Sequence, residues 1–354
     1  MATETNGSRG SVLRRLLLTC GILLGVTAVT LVAATAIGPV TIPLWDTATI
    51  VLQHLGLSVG PAFTDRDVLV ITEVRLPRVL VGALVGGALG IAGATMQGVF
   101  RNPLAEPGVI GVSAGAAIGA VTTLYFGWTA FGMWVLPGAA FIGAMVAVGV
   151  VFLIASLSKT RSAVSLLLVG IAINALLGSL ISAMVATSST EDDLRSIIFW
   201  LQGGLEARTW AHVYLIAIPL LAGALVLAAF GRDLNIMLLG DEQAHGSGVN
   251  VARVRPALLI LAALLTGVAV SVSGIISFVG LIVPHAVRLA VGPDHRILLP
   301  ASALGGAAFL VLADLGARML FAPVTLQVGV VTALVGAPVF LILLLQSRHG
   351  GIAR

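Results

Sequence analysis

Between residues 14 and 346 the sequence is a succession of apolar runs, most of them close to the roughly 20 residues that an α-helix needs to cross the hydrocarbon core of a bilayer. Ten runs are found, at about 14–36, 79–99, 108–127, 134–157, 163–187, 211–230, 256–276, 278–291, 299–320 and 325–346. The run at 278–291 is short and carries Pro284, His285 and Arg288, so periodicity leaves open whether it crosses fully or partly. Apolar residues within the runs are continuous rather than alternating, which excludes the period-two pattern of a membrane β-barrel. Only helices and closed barrels satisfy their backbone in lipid. The expected fold is therefore an all-α polytopic membrane protein of about ten transmembrane helices, a single domain over residues 1–354 with an N-terminal tail of about 1–13.

Charged residues make up 10% of the chain, against about 25% in soluble domains. Their placement reads as topology. With the first span entered from the cytoplasm, 13 of the 19 Lys and Arg residues fall inside, leaving Arg66, Arg75, Arg78, Arg195, Arg208 and Arg318 outside. Both termini are then cytoplasmic. The excess positive charge forms no basic tract or aromatic platform that would suit nucleic acid. The 42 glycines predict close helix packing, because small residues let backbones approach in lipid. One cysteine, Cys20, excludes an internal disulfide and any multi-cysteine metal site. The run around it also resembles a signal segment, but Thr19 is larger than the usual residue there, and the first-span reading is preferred.

Three polar interruptions matter. "RNPLAEP" at 101–107 must turn, since Pro103 and Pro107 cannot continue a helix. Residues 188–208 read as an external helix capped by Ser189 or Thr190, with Glu191, Asp192 and Asp193 at the positive end of its dipole. Residues 231–255 form the longest internal interruption, a short helix broken by Gly246 and Gly248 before Pro256.

The segment "RLPRVLVGALVGGALGIAGATMQGVFRNPLAEPGVIGVSAGAA" (75–117) resembles the permease subunits of ABC importers for iron-siderophores, haem and vitamin B12. So do "LGDEQAHGSGVNVARVR" (239–255), "SGIISFVGLIVPHAVRLAVGPDHRILLPASALGG" (273–306), "LADLGAR" (312–318) and "LQVGVVTALVGAPVFLILLL" (326–345), in the family's order over most of the chain. Ile276 and Ser277 depart from the family's usual Gly-Pro-Ile-Gly-Phe-like run. The resemblance implies a type II ABC importer permease in the cytoplasmic (inner) membrane. It pairs as a homodimer around a central path, with two cytoplasmic ATPase subunits and an external substrate-binding protein. A ferric siderophore is the first-choice cargo, with haem and cobalamin as alternatives.

The single lysine, Lys159, follows "ASLS", so no G-x-x-x-x-G-K-[ST] phosphate loop exists. The chain is expected to be no enzyme and to hold no cofactor; ATP and Mg belong to the partner ATPase. The resemblance makes Leu239, Gly240, Asp241, Glu242, Ala244, Gly248 and Val249 the ATPase-coupling contact within about 231–255. It makes Arg75, Arg78 and Arg318 a rim that docks the binding protein, where internal pairing with Glu73 or Asp314 is the plainer alternative. Met96, Gln97, Asn102, Ser113, Asn174 and Ser182 are candidates for the translocation path, with Asn102 and the 158–165 turn as its gate. The six histidines form no ligand spacing and are read as structural, His295 in a cytoplasmic turn. An ion-coupled secondary transporter would need intramembrane acids at a repeat interface, and Asp314, one turn before Arg318, stands nearly alone.

Overall fold

The computed structural model describes residues 4–57, 59–61, 63–157, 163–188, 190–320 and 324–349. The described residues are helical with no strand. In order they form α1 (Glu4–Ala36), α2 (Leu44–His54), α3 (Asp65–Leu69), α4 (Leu76–Phe100), α5 (Val112–Tyr125), α6 (Val135–Leu157), α7 (Ala163–Ala186), α8 (Glu191–Gln202), α9 (Trp210–Ala229), α10 (Gly231–Met237), α11 (Asp241–Gly246), α12 (Val251–Ser273), α13 (Val279–Val291), α14 (His295–Met319) and α15 (Val328–His349). A π-helical turn at Val70–Arg75 joins α3 to α4.

Each of the ten expected spans coincides with a helix. Seven helices are long and apolar enough to cross a membrane, and three shorter apolar ones are Val112–Tyr125, Val279–Val291 and Val328–Ile342. With 14 and 13 residues, α5 and α13 reach only about 20 Å, short of a hydrocarbon core of roughly 30 Å. Irregular backbone makes up the difference. Arg101 ends α4 in the left-handed region at φ 48, and a 3-10 turn at Pro107–Ile110 precedes α5. Gly274 ends α12, and Phe278 enters α13 at φ 70. Non-helical backbone at such depth is tolerated where protein or a water-filled path surrounds it.

The centre of the bundle is α4. Buried residues make up 78% of its most apolar window, against 6% in α7. Glycine makes this centrality feasible: a Cβ at Gly86 would overlap the Gly306 carbonyl, one at Gly90 that of Ser302, and one at Gly93 that of Gly280. The backbones of α4, α14 and α13 thus lie in direct contact, the small-residue packing that substitutes for hydrophobic drive in lipid. Gly115 and Gly143 bring α5 and α6 together in the same way.

All five tryptophans (45, 128, 134, 200 and 210) and both tyrosines (125 and 214) lie at the end of the bundle where α1 finishes and α4 begins. Trp45 and Tyr214 are exposed, while Trp210 donates to the Thr72 carbonyl and stacks on His54. Such a belt marks a membrane–water boundary. The opposite end carries α10 and α11.

Gly93→Ala is expected to lower the melting temperature of the detergent-solubilised chain, with an overpacking cost of about 1–3 kcal/mol. Gly138→Ala, where nothing lies within 4 Å of the added Cβ, serves as the control and should leave it unchanged. Equal melting of the two variants would show that the glycine seam is not limiting.

Candidate functional site

Two polar centres occupy the two ends of the bundle. At the aromatic end the last turn of α1 leaves carbonyls without helical partners. Arg75, 4% exposed, donates Nη1 to Thr35 O (3.0 Å) and Ala36 O (2.7 Å), and Nη2 to Val40 O. Arg318, 6% exposed, donates Nη2 to Ala34 O at 3.0 Å. Its Nε lies 3.2 Å from Asp314 Oδ2. Both cations also suit the negative end of the α1 dipole. Arg78 grips Asp314 side-on, Nε to both carboxylate oxygens (3.1 and 3.0 Å) and Nη2 to Oδ1 at 2.7 Å, which ties α4 to α14.

The expected docking rim is therefore corrected. Arg75 and Arg318 are buried and committed to α1 carbonyls and Asp314, so their guanidiniums close the fold instead of facing outward. The pairing of Asp314 with Arg318 one turn away is present as expected. The Arg78 contact, across 236 positions, is the internal pairing with Asp314 that stood as the plainer alternative to a docking role. The residue missed is Arg208, between α8 and α9. Its Nη1 sits 3.4 Å from His212 Nε2, and its buried Nε has no partner among the described residues. Burial lowers its guanidinium from the ordinary value, Arg78 adds to the shift, and Glu206 opposes it. Its signal in the sequence was an outer arginine beyond the three of the expected rim, two residues after Glu206.

At the other end, α11 is held by one aspartate. Asp241 Oδ1 receives Arg101 Nη2 at 2.5 Å, and Arg255 Nη2 donates to Oδ1 and Oδ2 at 2.8 and 2.9 Å. The clamp joins three segments: the left-handed cap of α4, the first turn of α11 and the start of α12. Hydrogen bonding from Arg255 leads the influences that hold the Asp241 carboxyl below its ordinary 3.8, with Arg101 adding to it. Ala244 and Val249 are buried beneath α11, so these two anchor the helix to the body and correct their expected place at a partner's surface. Leu239, Glu242 and Gly248 remain exposed, and Gly240 (φ 115) and Gly248 (φ 87) supply the turns that begin and end the short helix. Beside it, a cleft of about 1010 Å³ opens between α6, α7 and α12, floored by Phe152, Leu166, Val251 and Leu259 and rimmed by Glu242 and His245.

The expected path residues separate. Met96 and Gln97 are fully buried inside the protomer, with Gln97 Nε2 donating to Leu281 O at 3.0 Å, which corrects their assignment to an open path. Asn174 uses Nδ2 to hold Gly108 O at 3.1 Å, pinning the 3-10 turn to α7. Asn102 Oδ1 accepts from Leu104 N at 2.9 Å and closes the proline turn. Ser113 is half-buried, and Ser182 is exposed on α7, its hydroxyl on Gly178 O. Residues 158–162 of the expected gate, and the alternative cap Ser189, lie outside the described residues; Thr190 caps α8. Sequence reasoning also missed a cavity of about 550 Å³ where α8, the break at 274–278 and α15 meet, lined by Gln202, Ile275, Ser277, Ala333 and Leu334. His295, at the first position of α14 after the turn at 292–294, is fully buried with its backbone N–H on Asn235 Oδ1 at 2.8 Å, in line with its structural reading. Next to it, the Arg296 guanidinium, with Asn235 assisting, holds the Asp294 carboxyl at about 2.

Residues 26–346 match the FecCD transport family. The chain is 42% identical over 355 residues to the cobalamin import system permease BtuC of Halobacterium salinarum, covering 92% of this chain and 94% of the relative. It is 43% identical to the hemin transport permease HmuU of Yersinia pestis (78% and 83% covered) and 42% identical to the Fe(3+) dicitrate permease FecD of Escherichia coli (79% and 86% covered). Among solved structures it matches a metal-chelate type ABC transporter in an inward-facing conformation with a TM-score of 0.81 and 32% identity, covering 92% of this chain and 98% of that one.

Asp314→Asn should cost about 3–5 kcal/mol, because it leaves the buried Arg318 and the mostly covered Arg78 without their acid. Adding Arg78→Ala should cost little more, since the pair acts as a unit, and thermal melting of the two variants checks both numbers. For Asp241 the folded-state value is depressed, so its contribution is present above the ordinary aspartate range and lost as pH falls through the folded value. The protection of α11 amides, measured as the exchange rate relative to the intrinsic rate at each pH, should be flat from pH 7 to 5 and fall below about 3.8, and Asp241→Asn should show the reduced protection already at pH 7.

Proposed function

The chain belongs to the FecCD transport family, and on that premise we propose that this ABC importer permease moves a ferric siderophore across the cytoplasmic membrane by alternating access, as one of two identical copies driven by two ATPase subunits. The observation that carries the mechanism is the Arg101–Asp241–Arg255 clamp. It makes the exposed α11, the proline turn after α4 and the start of α12 one mechanical unit. A force on α11 from an ATPase that binds ATP and Mg therefore reaches the base of α4, the most buried helix. A change in nucleotide state needs only to favour one arrangement of this unit to shift the population of the whole bundle.

The other assignments follow the exposed surfaces. Leu239, Glu242 and Gly248 meet the ATPase. At the aromatic end a carboxylate of the binding protein meets Arg208 and the outer side of Arg78, while Arg75 and Arg318 hold the rim in shape. A second copy covers the bare face of α7, and Asn102, Ser113 and Ser182 border the passage between the copies.

The metal-chelate transporter with its TM-score of 0.81 supports an iron chelate as cargo. The archaeal relative that covers 92% of this chain favours cobalamin as the second reading. Uptake into proteoliposomes containing the chain, its ATPase and its binding protein decides between them. Ferric siderophore should accumulate only with ATP and resist competition by hemin and cobalamin. Accumulation of cobalamin or hemin instead would keep the mechanism and replace the cargo, and accumulation without the ATPase would overturn the importer reading. Asp241→Asn should cut uptake at least about tenfold while binding-protein docking is retained.

A further inference from the structure

Three aspartate-facing or aspartate-lacking arginines define a comparison within this chain. Arg78 and Arg296 each present the edge formed by Nε and Nη2 to an aspartate, at 2.7–3.1 Å for Arg78 on Asp314 and 2.6–3.1 Å for Arg296 on Asp294. This edge matches the two oxygens of a carboxylate or phosphate. On Arg288 the same two atoms, Nε and Nη2, are excluded from solvent and have no partner among the described residues. Arg288 enters none of the five ion pairs found among those residues. A half-buried guanidinium with an empty bidentate edge is costly to hold unless an acceptor reaches it at some stage of the working cycle.

The surroundings indicate where that acceptor comes from. Three sides of α13 are occupied: Gly280 lies on Gly93 of α4, Val283 and Val287 lie beside Gly305 of α14, and Phe278 and Ile282 lie against Gly336 of α15. At 3.6 residues per turn, Leu281, His285 and Arg288 form a further stripe between the α4 and α15 sides. His285, one turn before Arg288, adds a second polar group to it and is half-buried. The stripe lies on the same helix that follows the break at 274–278, where Ile275 and Ser277 line the 550 Å³ cavity.

We propose that Arg288, assisted by His285, is an anion-receiving station on the transport path that takes a carboxylate or phosphate group of the passing chelate. This rests on the importer reading and narrows it to cargo bearing such a group. The station sits in the last turn of α13, where the negative end of the helix dipole moderates the guanidinium's attraction. That suits a site that must release what it holds.

The test needs no partner subunit. The chain in nanodiscs of zwitterionic lipid is melted with ferric dicitrate, citrate or inorganic phosphate at constant ionic strength, and with a neutral ferric tris-hydroxamate as control. At a hundredfold excess over Kd a ligand of the folded state moves the folding equilibrium about a hundredfold. Wild type should therefore melt higher with ferric dicitrate and citrate and not with the neutral chelate. Arg288→Gln should lose the shift, and Arg288→Lys should keep part of it, since the charge remains without the planar fork. No shift in wild type, or an equal shift in Arg288→Gln, overturns the proposal, the latter placing the anion at another arginine. A shift that disappears once phosphatidylglycerol is added to the nanodisc also overturns it, by assigning the edge to lipid. Failure of ATP-driven uptake would sink the importer reading separately, whatever the melting curves show.

Discussion

Gly86, Gly90 and Gly93 let the backbone of α4 touch those of α14 and α13, and this contact sets the position of everything else. In lipid no hydrophobic drive presses helices together, so close approach of backbones must provide much of the packing. With α4 in the middle, its two ends become the points where the polar machinery is assembled. Arg75 and Arg78 stand at one end, and Arg101 stands at the other, in the left-handed cap.

Both ends use the same solution to an electrostatic problem. A charge near the hydrocarbon must be paired or must satisfy backbone groups that lack partners. At the aromatic end Arg75 and Arg318 serve the free carbonyls of α1, and Asp314 balances Arg78 and Arg318. At the α11 end Asp241 balances Arg101 and Arg255. The difference is burial. The side chain of Asp314 is 3% exposed and that of Asp241 is 50% exposed, so the first junction is a fixed element and the second a joint that can be worked from outside.

Two short helices, α5 and α13, each follow broken backbone, at 101–111 and 274–278. Long helices slide as rods, whereas a short helix behind a flexible break can tilt separately. The breaks lie where a passage would need adjustable walls, next to the exposed α7 and the cavity beside α15. Uncovered apolar surface, a joint at α11 and recessed helix starts are the features on which the proposed subunit contacts and motion rest.

The sequence alone determined the class of the molecule. Runs of about 20 apolar residues leave helices as the only way to satisfy the backbone in lipid, and all ten runs became helices. Pro103 and Pro107 forced the turn after α4 and Thr190 capped α8, because each of these is a local property of a few residues. Apart from the Asp314–Arg318 pair one turn apart, which of the possible partners each charged group takes was decided by the tertiary structure. Nothing near Arg75 in sequence reveals that it serves carbonyls 35 to 40 residues earlier, and Arg78 meets Asp314 across 236 positions. Burial of Met96 and Gln97 was equally hidden, since an apolar helix of nearly uniform composition does not show which face its neighbours will cover. In a membrane chain hydrophobicity specifies that a helix forms, and glycine contacts and paired charges specify where its faces turn.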